Sequence, residues 1–292
     1  MHDRRRRPAP ADTFGDAVIG KETIKRWLAG TPLDAPARVL YAALYRALVA
    51  VPTTQPAAPA PAGPHVTPNA LYDAQTVAVM ARVLARNSNC IDVGCHHGAI
   101  LNDMLRFAPD GTHFGFEPLP DLFADLTTKY ANVSTVRLHE LALSDALGDT
   151  TFQHVITNPA YSGLKQRRYD RPNEQVIEIT VKVAKLDDVL PLGFDIRLVK
   201  IDVEGAELQV LRGGTGMLRR CRPFVVFEHG LGAADCYGTR PEQVFDLLSD
   251  CGLRVSLMKD WLEHGSLKAF TRAAFAEEFD TGRNFYYLAH PA

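Results

Sequence analysis

The chain has 292 residues, a formal net charge of −2, 46% hydrophobic residues and 23% charged residues. Those proportions suit one large globular α/β domain with an appendage, and the near-zero charge excludes the broad basic field that draws a protein to nucleic acid. Five cysteines, at positions 90, 95, 221, 236 and 251, are odd in number and contain no C-x-x-C pair, which argues against a disulfide framework or a zinc site and for a reducing cytoplasm.

The first twenty residues carry the run Arg4-Arg5-Arg6-Arg7 with no apolar core behind it. They read as a disordered basic tail rather than a secretory signal. No stretch approaches the roughly 20 apolar residues of a membrane span. Residues 21–51 have Ile24, Trp27, Leu28, Val39, Leu40, Leu44 and Leu48 at three- and four-residue spacing, broken by Pro32 and Pro36. That pattern predicts a helical N-terminal extension. Residues 52–67 are rich in Pro and Ala and read as an extended linker.

The main domain is expected over 68–292. A helix is predicted over 72–87, a strand over 89–93, a helix over 99–107, a strand over 112–116 and a helix over 121–130. A third strand follows at 133–138. Segments 150–155 and 176–185 read as extra strands around a polar, basic loop. A fourth main strand at 196–203 leads to a helix over 206–218, and a fifth at 223–228 to a helix over 241–250. Strands at 253–258 and 284–289 complete the sheet. This alternation predicts a doubly wound, mostly parallel sheet, in which ligands sit beyond the carboxyl ends of the strands.

The first of those ends reads Asp92-Val93-Gly94-Cys95-His96-His97-Gly98. A dinucleotide turn wants G-x-G-x-x-G, so that the backbone can approach a pyrophosphate. Here His96 stands where the middle glycine would be, which counts against NAD. S-adenosylmethionine (SAM) has no phosphate and needs only the tight turn at Gly94 and a close approach at Gly98. Glu117-Pro118 ends the second strand, about twenty residues past the glycines, where a carboxylate accepts two ribose hydroxyls. Leu143, Ser144 and Asp145, after the third strand, are the candidate adenine slot. The cofactor set is therefore Asp92, Gly94, His96, Gly98, Glu117, Pro118, Leu143, Ser144 and Asp145.

Residues from about Tyr72 to Ala289, roughly three quarters of the chain, resemble the FkbM family of SAM-dependent methyltransferases. The resemblance rests on Tyr72-Asp73, Asp92-Val93-Gly94 with Gly98, Phe116-Glu117-Pro118, Ala142-Leu143-Ser144-Asp145, Leu186-Asp187-Asp188, Lys200-Ile201-Asp202-Val203-Glu204-Gly205-Ala206-Glu207, Val210-Leu211-Arg212-Gly213 and Pro223 to His229, in that order. It implies a Rossmann-like class I methyltransferase with a seven-stranded sheet, and O-methyl transfer to hydroxyls of sugars, polyketides or other secondary metabolites. The chain departs at Cys95-His96-His97, where the family usually has Ala-Asn-Ile.

Methyl transfer from a sulfonium is an in-line displacement that also requires loss of the acceptor's proton. Asp202, at the fourth strand's end, is the candidate for holding the cofactor's ammonium or orienting the acceptor. Glu204 would point away along a continuing strand, but a turn at Gly205 could bring it round. His229 is the expected general base, since imidazole titrates near working pH, and Glu228 would orient it or bind a sugar hydroxyl. An Mg²⁺ site built from Asp202, Glu228 and His229 competes with this reading but is not favoured by the spacing of the acids. The loop 156–175, with Tyr161, Lys165, Arg167, Arg168 and Arg171, is the expected acceptor lid, its arginines suited to an acidic or phosphorylated acceptor.

Three rival readings stand beside this one. Asn158-Pro159-Ala160-Tyr161 resembles the Asn-Pro-Pro-Tyr signature of amino-methyltransferases, although the second Pro is absent and the segment does not follow the fourth strand. A non-catalytic SAM-binding or docking module would use residues 1–51 as its arm. An NAD-dependent dehydrogenase is opposed by the missing glycine. A small-molecule hydroxyl acceptor is expected as partner and nucleic acid is not. Both a monomer and a homo-oligomer fit the sequence.

Overall fold

Asn89–Val93 (β1), His113–Phe116 (β2) and Val136–His139 (β3) pair in parallel, and β1 pairs on its other side with Ile196–Ile201 (β7), which pairs in turn with Phe224–Glu228 (β8). This computed structural model describes residues 67–169 and 171–292. The expected basic tail, the helical extension and all but the last residue of the expected linker lie outside them. The seven-stranded sheet has the order β3-β2-β1-β7-β8-β10-β9, where β9 is Leu253–Ser256 and β10 is Tyr286–Pro291. Only β10 runs antiparallel to its neighbours, inserted between β8 and β9. The order reverses between β1 and β7, so the ligand-binding crevice is expected above that pair. This is the doubly wound, Rossmann-like arrangement that the sequence implies.

The strands read as apolar runs because both faces are covered. Ile91, Val93, Phe114, Phe116, Val199, Ile201, Val225 and Phe227 are all buried in one core cluster with the helices. Their carboxyl ends are tied together by backbone hydrogen bonds. Gly94 and Cys95 N–H both reach Phe116 O at 3.0 Å, and Asp202 N–H reaches Val93 O at 3.0 Å. The glycine turn and the Asp202 turn are thus fixed side by side.

The extra strands form a second sheet. Gly148–Val155 (β5) and Val176–Ala184 (β6) make a long antiparallel hairpin, and Ala142–Leu143 (β4) adds to β6 in parallel. Phe152, Val181 and Val183 from this sheet cluster with Leu119, Leu122 and Ala142. The small sheet therefore stands as a wall beside β2 and the helix Pro120–Lys129.

The structure differs from expectation at several ends. The first helix is Pro68–Val83, four residues earlier than the apolar pattern suggests, because Thr67 caps it through Ala70 N–H at 3.2 Å and Pro68 occupies its first turn. The helix expected over 206–218 is two helices, Glu207–Gly213 and Thr215–Cys221. Asp187, far away in sequence, caps the second by accepting Gly216 and Met217 N–H at 2.7 and 2.8 Å. Helices Met258–His264 and Arg272–Thr281 fill the connection between β9 and β10 and were not expected. All five cysteines are free thiols, and no described helix is long and apolar enough to cross a membrane.

Candidate active site

A cleft enclosing about 850 Å³, counting its open mouth, lies at the carboxyl ends of β1, β2 and β7. One side is lined by Gly94, His96, Glu117, Pro118 and Leu143, the other by Asp202, Glu204 and Ala206. Phe116, Leu122, Leu141, Ala142 and Phe152 supply an apolar slot between them, and Pro159, Ala160, Ser162 and Leu164 close over it.

Gly94 has φ 82, and a Cβ there would stand 2.0 Å from the Asp202 carbonyl oxygen. Only glycine lets these two turns meet. Gly98, expected to permit approach of the cofactor, instead permits approach of the protein. It caps helix Ala99–Phe107 at φ 72, and a Cβ would lie 2.7 Å from the Tyr130 hydroxyl. It does not line the cleft.

Glu117 is buried at 5% exposure. Its carboxylate accepts His96 N–H at 2.8 Å and Leu119 N–H at 3.0 Å. Burial pushes its pKa up to about 7, against the pull of those two N–H groups. The two bonds leave lone pairs for further donors, because a carboxylate has about four acceptor sites. Asp92 sits behind the turn and does not line the cleft. Its Oδ2 is buried without a hydrogen-bond partner among the described residues, and burial raises its pKa to about 7 against the pull of Lys200. Ser144 and Asp145 also lie outside the lining. Ser144 O packs against Gly213, and Asp145 turns to Arg212 at 3.7 Å. The apolar slot thus ends at Leu143.

On the opposite side, Asp202 Oδ2 accepts Lys200 Nζ at 2.9 Å and Tyr286 OH at 2.5 Å. Burial alone would raise its pKa, but the Lys200 charge and the hydrogen bonds from Tyr286, Lys200 and Glu228 hold it at about 2. Glu228 goes the other way, raised well above the ordinary carboxyl range by burial and by the Asp202 charge. The two shifts run in opposite directions, which favours the proton on Glu228 over Asp202. Glu204 comes round as the Gly205 turn allows: it adopts φ 58, and its carboxylate pairs with Arg167 from the loop. Gly205 N–H is in turn held by Glu207 Oε1 at 3.0 Å. His96, at φ 48, is the other non-glycine cleft residue in the left-handed region. Backbone strain of this kind concentrates at functional sites, and nothing in the residue types announced it.

His229 departs from its expected role. The peptide after Glu228 continues the β alternation, so adjacent side chains face opposite ways. The imidazole is fully buried against Phe275 and Phe279, with ring centroids at 6.0 and 4.7 Å, and neither nitrogen has a hydrogen-bond partner among the described residues. Burial lowers its pKa to about 3. It does not line the cleft and cannot reach an acceptor held there. Replacing His229 with Phe is expected to leave turnover within about tenfold, against the 10²–10⁴ of a general base. The thermal midpoint should hold or rise, because two unsatisfied buried polar atoms are removed. Steady-state rates and a melting curve check both.

Asp202, Glu204 and Glu228 bring carboxylate oxygens within 4.8 Å of one another, a spacing a cation could bridge. Lys200 already pairs with Asp202 on one side and Arg167 with Glu204 on the other, and His229 faces away from the set. Asn158-Pro159-Ala160-Tyr161 follows β5 of the small sheet, not β7. Pro159 and Ala160 contact the cleft through the 3₁₀ turn Pro159–Tyr161.

The Methyltransferase FkbM domain profile matches residues 92–255. Over 156 residues the chain is 28% identical to the 2-O-methyltransferase NoeI of Sinorhizobium fredii, covering 48% of this chain and 62% of that protein. Over 150 residues it is 31% identical to the hexuronic acid methyltransferase AglP of Haloferax volcanii, covering 50% of this chain and 56% of that protein. The matched part thus spans about six tenths of these relatives. A solved structure, Methyltransferase FkbM from Methylobacillus flagellatus KT, superposes on 71% of this chain and 44% of its own, at 14% identity and a TM-score of 0.45. The profile covers more than half of the chain and includes both acidic rims of the cleft, so the chain belongs to the FkbM methyltransferase domain family.

Proposed function

We propose that the protein is a SAM-dependent O-methyltransferase that acts on a hydroxyl of a sugar or a related secondary metabolite. The observation that carries this reading is the meeting, in one cleft, of a glycine turn with His96 in place of the dinucleotide motif's middle glycine, a buried carboxylate at the end of β2 and, just past the end of β7, Asp202, whose pKa the Lys200 charge holds low. The donor set fits the cofactor. Glu117 has acceptor sites left for two vicinal hydroxyls, and Phe116, Leu143 and Phe152 offer an apolar slot for a base.

When bound, SAM supplies an activated methyl group on a sulfonium. The rest is done by side chains of this chain. The Asp202 carboxylate, fixed by Lys200 and Tyr286, orients the acceptor hydroxyl and takes its proton. The apolar wall of Phe152, Pro159 and Leu164 keeps water from competing for the methyl group. The names of two relatives, a 2-O-methyltransferase and a hexuronic acid methyltransferase, support a sugar oxygen as the acceptor.

Calorimetric titration with SAM, using NAD as the control, tests the cofactor half. Micromolar SAM binding without NAD binding is expected. Absence of SAM binding would remove the enzyme reading in favour of a docking module.

A further inference from the structure

The loop 156–175 was expected to offer its arginines to an acidic or phosphorylated acceptor. The structure pairs two of them, Arg167 and Arg168, with acids of other elements. Arg168 pairs with Asp235 at 2.8 Å and its N–H bonds Gly232 O at 3.0 Å. Arg167 pairs with Glu204, and the two side chains are only 13% and 12% exposed. The Arg167 guanidinium lies 4.9 Å from the Tyr161 ring centre, and Tyr161 stacks on Tyr169 at 5.9 Å with an 8° interplanar angle. The cation is therefore clamped beside the cleft and cannot swing out to solvent.

Around the acceptor's side of the cleft, charges cancel one by one. Lys200 meets Asp202 and Arg167 meets Glu204, while burial and the Asp202 charge raise the Glu228 pKa well above the ordinary carboxyl range. Among the described residues that line the cleft none is Lys or Arg, so an anionic acceptor would reach the Arg167 cation by displacing Glu204. That would leave Glu204 buried beside Asp202 with no counter-charge, and breaking a buried pair costs far more than the pair itself contributes. A neutral polyol meets no such penalty, since hydroxyls donate to carboxylates and leave the pairs intact.

We propose that the Glu204–Arg167 pair sets the charge of the acceptor, admitting an uncharged hydroxyl-bearing ring and rejecting carboxylated or phosphorylated ones. Glu204 acts here as a specificity residue by negative means: it occupies the cation that an acidic sugar would need. This inference rests on the methyltransferase reading and narrows its acceptor class.

The test compares methyl α-glucoside with methyl α-glucuronide as ligands, by ligand-observed NMR with S-adenosylhomocysteine present, for the full chain, Glu204→Gln and Arg167→Met. The unsubstituted protein should bind the glucoside at least tenfold more tightly than the glucuronide. Glu204→Gln frees a buried guanidinium and should tighten the glucuronide at least tenfold. Arg167→Met exposes the Glu204 charge and should weaken the glucuronide further. An unsubstituted protein that prefers the glucuronide overturns the proposal, as does a ratio unchanged in both variants or binding of neither sugar. Melting curves identify a variant that fails to fold, and the other variant then decides. SAM titration of the same samples reads the underlying enzyme assignment separately: SAM binding with the wrong sugar ratio sinks only the acceptor rule.

Discussion

Glu117→Ala is expected to weaken SAM binding by about 100-fold or more while the protein stays folded. Hydrogen bonds to a charged group contribute about 1.5–3 kcal/mol each, or roughly ten- to a hundredfold in affinity. The substitution removes the acceptor for two cofactor hydroxyls. It also releases His96 and Leu119 N–H, which position the glycine turn and the start of the next helix. Glu117→Gln keeps one acceptor oxygen and should lose about tenfold less. The ionised form is the one that accepts from both hydroxyls, and burial puts the free-protein pKa at about 7. SAM affinity should therefore be full above neutral pH and fall by up to about tenfold per unit below it, with a proton released on binding. Glu117→Gln should flatten that slope. A slope that persists in Glu117→Gln would belong to Asp92, whose pKa is also raised to about 7. Calorimetry in buffers of different ionisation enthalpy measures both the affinity and the proton count; unchanged affinity in Glu117→Ala would sink the assignment of the cofactor half.

The rim residues were legible in the sequence where one strand end carries the whole signal. Asp92-Val93-Gly94 and Lys200 to Glu207 sit in apolar runs that end in a turn, and parallel pairing then forces those ends onto one edge. Gly94 could be read as a tight turn, but not as the point where two turns touch, because its neighbour Asp202 is distant in sequence. Gly98 was misread for the same reason: the group it makes room for is Tyr130. His229 was assigned from its chemistry and its place after a strand. Its real surroundings come from helix Arg272–Thr281, whose Phe275 and Phe279 lie one turn apart and receive the imidazole. That helix has a weakly amphipathic sequence, Arg-Ala-Ala-Phe-Ala-Glu-Glu-Phe, and its cap Thr271 was the remaining local sign. With the helix unrecognised, a buried histidine looks like a free one.

The same logic applies to charge. From sequence, the arginines of the loop read as a basic patch. Each acid that neutralises one lies on another element: Glu204 after β7 for Arg167, and Asp235 after β8 for Arg168. Composition counts charges, and only the fold decides which are already spent. Lys200 on β7 and Asp202 just past its end are two residues apart, and that pairing was open to inspection, since residues i and i+2 of an extended chain share a face. Tyr286, which completes that set from β10, was not.

Asp202→Asn should lower turnover by about 10²–10⁴-fold while SAM affinity changes by less than about tenfold. With its pKa held at about 2, Asp202 is a weak base for an ordinary alcohol. It does not need to be a strong one. A hydroxyl that is being alkylated becomes a far stronger acid than a carboxylic acid, so a carboxylate fixed beside it takes the proton as the bond forms. What Asp202 must do is stay ionised and stay aimed, and Lys200 and Tyr286 supply both. Asparagine keeps the shape, cannot accept the proton, and leaves Lys200 Nζ buried beside a neutral group, which costs on the order of 3 kcal/mol. Lost stability and lost chemistry would then be confused, so the decisive measurement is the double substitution Asp202→Asn with Lys200→Met. It should recover most of the melting temperature and none of the rate. Recovery of turnover along with stability would mean that Asp202 serves only to neutralise Lys200, and the proton would have to leave through Glu204 or through water at the mouth of the cleft.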